Sequence, residues 1–282
     1  MRRLNTCLDP VACYCLLTMF RSAKRVCPSS FFEITVAYMS DEEFQSHFRC
    51  SREVLLIIKD ALSGDWTHYT DVEKAICIFL WQAASGDVYR SLGSLFGLST
   101  TVIGVLIKKV SILIRKHLFH YITNQLSRED AVRQRWLFGR SYNQPDCAAA
   151  IDGVFIEINR PKNHGESYFS GHKKKYGLCM LAVVDYNAHF LFINVGNTAR
   201  LGDLLIFQCS ALKRDIENHT SSLGVDNKIL VDSAFSSEPY LVKSTERIGA
   251  GSARVIVEHA FGQFKQQSHY SRLKLMGPHL MN

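Results

Sequence analysis

The chain has 282 residues, of which 47% are hydrophobic and 21% charged, with a formal net charge of +7 and an isoelectric point near 8.9. This composition excludes a disordered or fibrous protein and allows one large domain or two modest ones, each with its own core. The basic excess fits a polyanionic partner without singling one out.

The nine cysteines are Cys7, Cys13, Cys15, Cys27, Cys50, Cys77, Cys147, Cys179 and Cys209. Their number is odd and no C-x-x-C pair occurs, so neither a zinc ribbon nor a thioredoxin-like motif is supported. Cys77, Cys147 and Cys179 lie in apolar runs and read as small buried hydrophobes, which suits a reducing, intracellular setting. Val11–Phe20 is an apolar run behind Arg2 and Arg3. It is too short to span a bilayer as a helix. Arg21, Lys24 and Arg25 follow it without a clear cleavage site, so residues 1–40 are expected to be a leader and no membrane association is expected.

From Asp41 the pattern becomes helical. Ser40 and Glu43 have the spacing of a capping box. In FRCSREVLLIIKDAL, Ser51 is a second cap, with Val54, Leu55, Ile58 and Leu62 on one face. Thr70, Asp71 and Glu73 open a third helix, VEKAICIFLWQAAS, which ends before Gly86. The next stretch, DVYRSLGSLFGLSTTVIGVLIKKVSILIRKHL, has a helix-turn-helix layout. A short helix from Val88 to Phe96 leads to a turn at Gly97, with Leu98 as a buried plug. Ser99 then caps a second helix carrying Val102, Val105, Leu106 and Val110. Such a pair can set its second helix in a DNA major groove, or can be two packed core helices. The start of that helix, Thr100–Ile103, lacks the Arg, Asn and Gln side chains that usually read bases. Lys108, Lys109, Arg115 and Lys116 suit phosphate contacts or a solvated face. Residues 41–125 therefore read as a helical, helix-turn-helix-like DNA-binding region, and the charged residues 126–145 as a linker.

The remainder, 146–275, alternates strands and helices, with a tail over 276–282. AAAIDGVFIEI is a strand with Asp152 in its middle, and LCMLAVVDYNAHFLFINVGN is two strands joined by a turn at Tyr186–Ala188. GDLLIFQCSALKRDI reads as one amphipathic helix, KILVDSAF as a short strand ending at Asp232, and RVIVEHAFGQFKQQS as a helix carrying Glu258. The order predicts an α/β fold with a mixed sheet flanked by helices.

Two acids interrupt or end apolar strands, and a third lies in the apolar part of a helix. Asp152 and Asp232 would lie near the crevice where ligands of α/β sheets gather, with Glu258 crossing beside them. Converging carboxylates repel unless a cation neutralises them, and an all-oxygen set suits Mg²⁺ or Mn²⁺. Such ions can activate a water or a 3′-hydroxyl and stabilise the leaving oxygen in phosphodiester attack. Asp203 reads as the N-cap of the following helix, and Asp185 as a turn residue. Arg160, Lys162, His172, Lys173, Lys174 and Lys175 form a basic loop that suits phosphates, or a solvated surface. Val255, Ile256 and Phe261 are expected to face the sheet, with Gly249, Gly251 and Ser252 leading into their helix and Ser252 capping it.

Together the blocks FRCSREVLLIIKDAL, IFLWQAASGDVYRSLGSLFGLSTTVI, AAAIDGVFIEINRP, YFSGHKKKYGLCMLAVVD, ILVDSAF and SARVIVEHAFGQFK resemble the PIF/Harbinger transposases and harbinger-derived nucleases. They span the chain from Phe44 to Lys265. The resemblance implies an RNase H-like DDE domain, a divalent metal (Mg²⁺ or Mn²⁺) and nuclear DNA as substrate. It further implies Asp152, Asp232 and Glu258 as catalytic residues, with Asp203 added to these three as a metal ligand. A Myb-like helper protein and a homo-oligomer are partners the family suggests.

The sequence also departs from the family pattern. Asn197–Gly202 replaces a Trp-Pro-Gly-Ser-like run, and Asp232–Phe235 replaces an Asp-Ser-Gly-Tyr-like block. Only 25 residues separate Asp232 from Glu258, fewer than the family normally has. The function expected is a metal-dependent DNA endonuclease of transposase origin with weakened cleavage. The alternative is an inactive, domesticated DNA-binding or chromatin adaptor that keeps the fold.

Overall fold

A computed structural model describes residues 31–121, 126–243 and 253–267 of the chain. Most of the proposed leader, the residues leading into the last helix (Gly249, Gly251 and Ser252 among them) and the tail 276–282 lie outside the described residues.

The first half is helical. A short π-helical segment, Phe31–Val36, precedes α1 (Asp41–Phe48), α2 (Arg52–Ser63), α3 (Val72–Ser85), α4 (Tyr89–Phe96) and α5 (Thr100–Leu118). Side-chain caps set most of the starts: Ser40 for α1, Ser51 for α2, Asp71 for α3 and Ser99 for α5. At Ser40 the full capping box forms, with Glu43 accepting from the Ser40 N–H. Gly86 and Gly97 end α3 and α4 in the left-handed conformation that glycine adopts without strain. All five helices bury their apolar stripes in one core, which includes Phe44, Phe48, Ile76, Phe96 and Leu106.

Three expectations for this half need correction. Residues 31–39 are part of the fold rather than leader, because Phe31 packs edge-on against Trp81 and Phe96. The Arg52 guanidinium also donates to the carbonyls of Val36 and Met39. Val54 and Val105 are exposed, and Ile103 takes the inward place on α5. Leu98 is half-buried against the core instead of fully enclosed.

The second half begins with α6 (Arg128–Tyr142), within the residues expected to be a linker. Ser127 caps it, and Phe138, with no exposed surface, packs into the core beneath the sheet. The strands are β1 (Cys147–Glu157), β2 (Phe169–Ser170), β3 (Lys175–Val184), β4 (Phe190–Thr198), β5 (Lys228–Val231) and β6 (Leu241–Lys243). Strand β1 is central, with antiparallel β3 on one side and parallel β5 on the other. β4 extends the sheet beyond β3, β6 extends it beyond β5, and β2 forms a short bridge to the start of β3.

Helices α7 (Asp203–Gln208) and α8 (Ala211–Glu217) cover one face, and α6 and α9 (Ala253–Gln267) cover the other. The single amphipathic helix expected over GDLLIFQCSALKRDI is therefore two, broken where Ser210 caps α8. Asp185 does hold the hairpin turn: its carboxylate accepts the N–H groups of Asn187 and His189 at 2.8 and 2.9 Å.

Candidate active site

The site forms where β1 outruns its parallel neighbour. β1 pairs with β3 along Ala150–Glu157, but pairs with β5 only between Cys147 and Ala150. Among the described residues, therefore, no strand lies beside the β5-side edge of β1 from Ile151 onward. This is the switch between antiparallel and parallel neighbours, where crevices open in α/β sheets.

Asp152 lies on this stretch and is only 7% exposed. It shares its parity with Ala150, Val154 and Ile156, which pack in the core with α9. The N–H of Gly153 donates to its carboxylate at 2.9 Å. Asp232 directly follows Val231, the last residue of β5, and accepts from the Ser233 N–H at 2.6 Å and its hydroxyl at 3.2 Å. α9 is anchored on the sheet by Ile256, Val257, Ala260 and Phe261, and its Glu258 is exposed. Val255, expected to face the sheet, is exposed instead, and Val257 takes that role. Asp152, Asp203, Asp232 and Glu258 all line one cleft of about 760 Å³.

Asp203 reaches this cleft from the other face of the sheet. It is the first residue of α7, not its cap, since Gly202 holds the cap position. Its carboxylate fills the space above Gly153: a β-carbon there would lie 2.0 Å from Oδ1 and 2.4 Å from Cγ. The buried Cys179 of β3 donates its S–H to Oδ1 at 3.2 Å. Burial, with the Asp203 carboxylate adding to it, pushes the Cys179 thiol well above its usual value, so the thiol stays protonated and acts as a donor.

The basic loop divides. His172, Lys173 and Lys175 line the cleft and are exposed, and Lys175 also pairs with Glu157 at 2.7 Å. Arg160, Lys162 and Lys174 do not line it. Arg160 pairs with Glu166 at 2.8 Å and lies over the Tyr176 ring. Lys265, which the sequence reading did not single out, lines the cleft from α9. Its spacing of seven from Glu258, two helical turns along the same face, was the available signal. In the helical half, Lys108 is exposed, while Lys109 donates to Thr67 at 2.5 Å over the Trp66 ring.

Among the described residues, no three His, Cys, Asp or Glu side chains close into a metal-binding group. The donor chemistry of the cleft nevertheless fits a hard divalent cation, since its acids supply only oxygen and its one thiol is protonated.

Residues 151–275 match the family model described as DDE superfamily endonuclease. This segment, less than half of the chain, is similar to that family. The match runs from within β1 to beyond α9, so it contains all four acids, and the helical half lies outside it. Over 126 residues the chain is 28% identical to the Arabidopsis thaliana protein named Antagonist of Like Heterochromatin Protein 1, covering 44% of this chain and 31% of that relative. Over 187 residues it is 21% identical to the Arabidopsis thaliana protein named ALP1-like, covering 62% of this chain and 45% of that relative. The chain thus spans less than half the length of these curated relatives. No solved structure matches it significantly. The PIF/Harbinger resemblance and the mixed α/β fold with a helical N-terminal region both stand.

Proposed function

We propose that the chain is a metal-dependent DNA endonuclease of transposase descent. The observation that carries this reading is that Asp152, Asp232 and Glu258 open on one cleft that His172, Lys173, Lys175 and Lys265 also line. Asp152 and Asp232 would hold Mg²⁺ or Mn²⁺, and Glu258 would close the set from α9. A cation bound there would supply an activated water or 3′-hydroxyl and neutralise charge on the phosphorane. The lysines bind the DNA backbone through its phosphates, without reading sequence. In hydrolysis the water oxygen bonds to phosphorus, the bond to the leaving 3′-oxygen breaks, and that oxygen takes up a proton. The substrate is nuclear DNA. The helical half presents Lys108 to it, with a Myb-like protein or a second copy of the chain assisting.

A second reading is an adaptor that keeps the fold without cleavage. The exposed position of Glu258 favours it. The name of one relative, Antagonist of Like Heterochromatin Protein 1, fits it as well. Plasmid nicking in Mn²⁺ separates the two. Nicking by the native chain that disappears in Asp152→Ala supports the enzyme, and no nicking by either supports the adaptor.

A further inference from the structure

We infer that Asp203 is a positioning residue for Asp152, acting through the backbone of Gly153. This inference rests on the reading of Asp152 as a cation-binding carboxylate. Along β1 successive residues face opposite sides. Asp152 shares its side with Ala150 and Val154, toward α9, whereas Gly153 shares its side with Ala149 and Ile151, toward α7 and α8. At Gly153 the second face has no side chain, and the Asp203 carboxylate takes its place, 2.0 to 2.7 Å from where a β-carbon would be. A β-carbon at position 153 would displace that carboxylate, so Gly153 and Asp203 form a matched pair.

The clamp sits where the strand most needs one. Past Ala150, among the described residues, β1 has lost β5 and pairs with β3 along one edge only. Asp203 presses on the same stretch from α7, and Cys179 of β3 holds Asp203 in place through its S–H at 3.2 Å. Strand, helix and neighbouring strand are thereby locked together one residue from Asp152. A carboxylate lodged on a backbone in this way sets where the strand lies. A shift of about 1 Å in a catalytic group can cost on the order of a hundredfold in rate.

The test uses the full chain with Asp203→Ala, Asp203→Asn and Gly153→Ala. Asparagine keeps the shape and the acceptor oxygen while losing the charge. Two readouts are taken: hydrogen exchange at the backbone amides of residues 151–157, and nicking split into kcat and KM at saturating Mn²⁺. We expect Asp203→Ala and Gly153→Ala to speed exchange in 151–157 at least tenfold, with exchange in α1–α5 unchanged as the control for folding. We expect kcat to fall by about a hundredfold, with KM for DNA and the Mn²⁺ affinity little changed. Asp203→Asn should restore slow exchange and most of kcat. Unchanged exchange in both Asp203→Ala and Gly153→Ala overturns the inference. So does Asp203→Asn losing Mn²⁺ affinity as severely as Asp203→Ala, since a ligand needs the charge and a clamp does not. If the native chain does not nick DNA, the exchange result still decides the inference, and only the proposed function falls.

Discussion

Gln134 of α6 and Asp185, just past the end of β3, share a buried hydrogen bond, amide to carboxylate, at 3.3 Å. The Gln134 carbonyl also accepts the Tyr186 N–H at 2.9 Å. One side chain thus holds two consecutive residues where the chain leaves β3 for the hairpin turn, and it comes from a segment that reads as a linker. α6 therefore packs into the core of the α/β sheet.

This placement predicts a large effect from Phe138→Ala. Phe138 has no exposed surface and stacks edge-on to Tyr186, with ring centroids 5.7 Å apart. Its truncation should cost about 3–5 kcal/mol of unfolding free energy, measured by urea denaturation followed through the α/β domain. A loss under about 1 kcal/mol, ordinary for an exposed position, would return residues 126–145 to the status of a linker.

The basic loop predicts a graded salt response. Lys173 and Lys175 line the cleft and Lys174 does not. Each lost phosphate contact should reduce the slope of log affinity against log salt by about 0.9. Lys173→Ala combined with Lys175→Ala should flatten the slope by nearly two such steps, and Lys174→Ala by less than one. Equal slopes in all the variants would make the loop a solvated surface.

The buried thiols predict sensitivity to alkali. Burial pushes Cys147 up to about 12 and pushes Cys77 and Cys179 further still, against an ordinary value of 9.0. Below pH 9 both folded and unfolded chains keep these protons. Above it the unfolded chain releases them while the folded chain does not, so stability falls as pH rises. Denaturation at pH 8 and pH 10 should show the drop. Among the described cysteines Cys209 is exposed and should react with a thiol reagent in the folded protein, while Cys77, Cys147 and Cys179 react only on unfolding. Rapid modification of Cys179 without unfolding would contradict this picture.

Much of the fold was legible because it is written locally. Ser40, Ser51 and Ser99 cap helices where their spacing to the following apolar residues says they should, and the Tyr186–Ala188 turn sits between two alternating runs. Features set by distant contacts were not legible. α6 is mostly polar and buries only Ala131, Gln134 and Phe138, which is too thin a stripe to stand out from a charged linker. Val54, Val105 and Val255 lie at the margins of their apolar stripes, and only the packing decides which margin is covered. The break at Ser210 leaves helical periodicity almost intact on either side. At the site, Asp152 stood out because a carboxylate in an apolar strand is costly. The contact of Asp203 with Gly153 joins residues fifty apart, and no local pattern announces it.

The central claim is that Asp152, Asp232 and Glu258 share a divalent ion, and a Mn²⁺ titration followed by the electron paramagnetic resonance of the free ion tests it most directly. Free Mn²⁺ gives its signal and protein-bound Mn²⁺ loses it, so binding is read without any need for cleavage. The native chain should bind Mn²⁺. Asp152→Asn and Asp232→Asn should each weaken that binding at least tenfold, about 1.4 kcal/mol. Glu258→Gln should weaken it less, because Glu258 is exposed and closes the set from α9. Mn²⁺ affinity that is the same in the native chain and in Asp152→Asn would contradict the account.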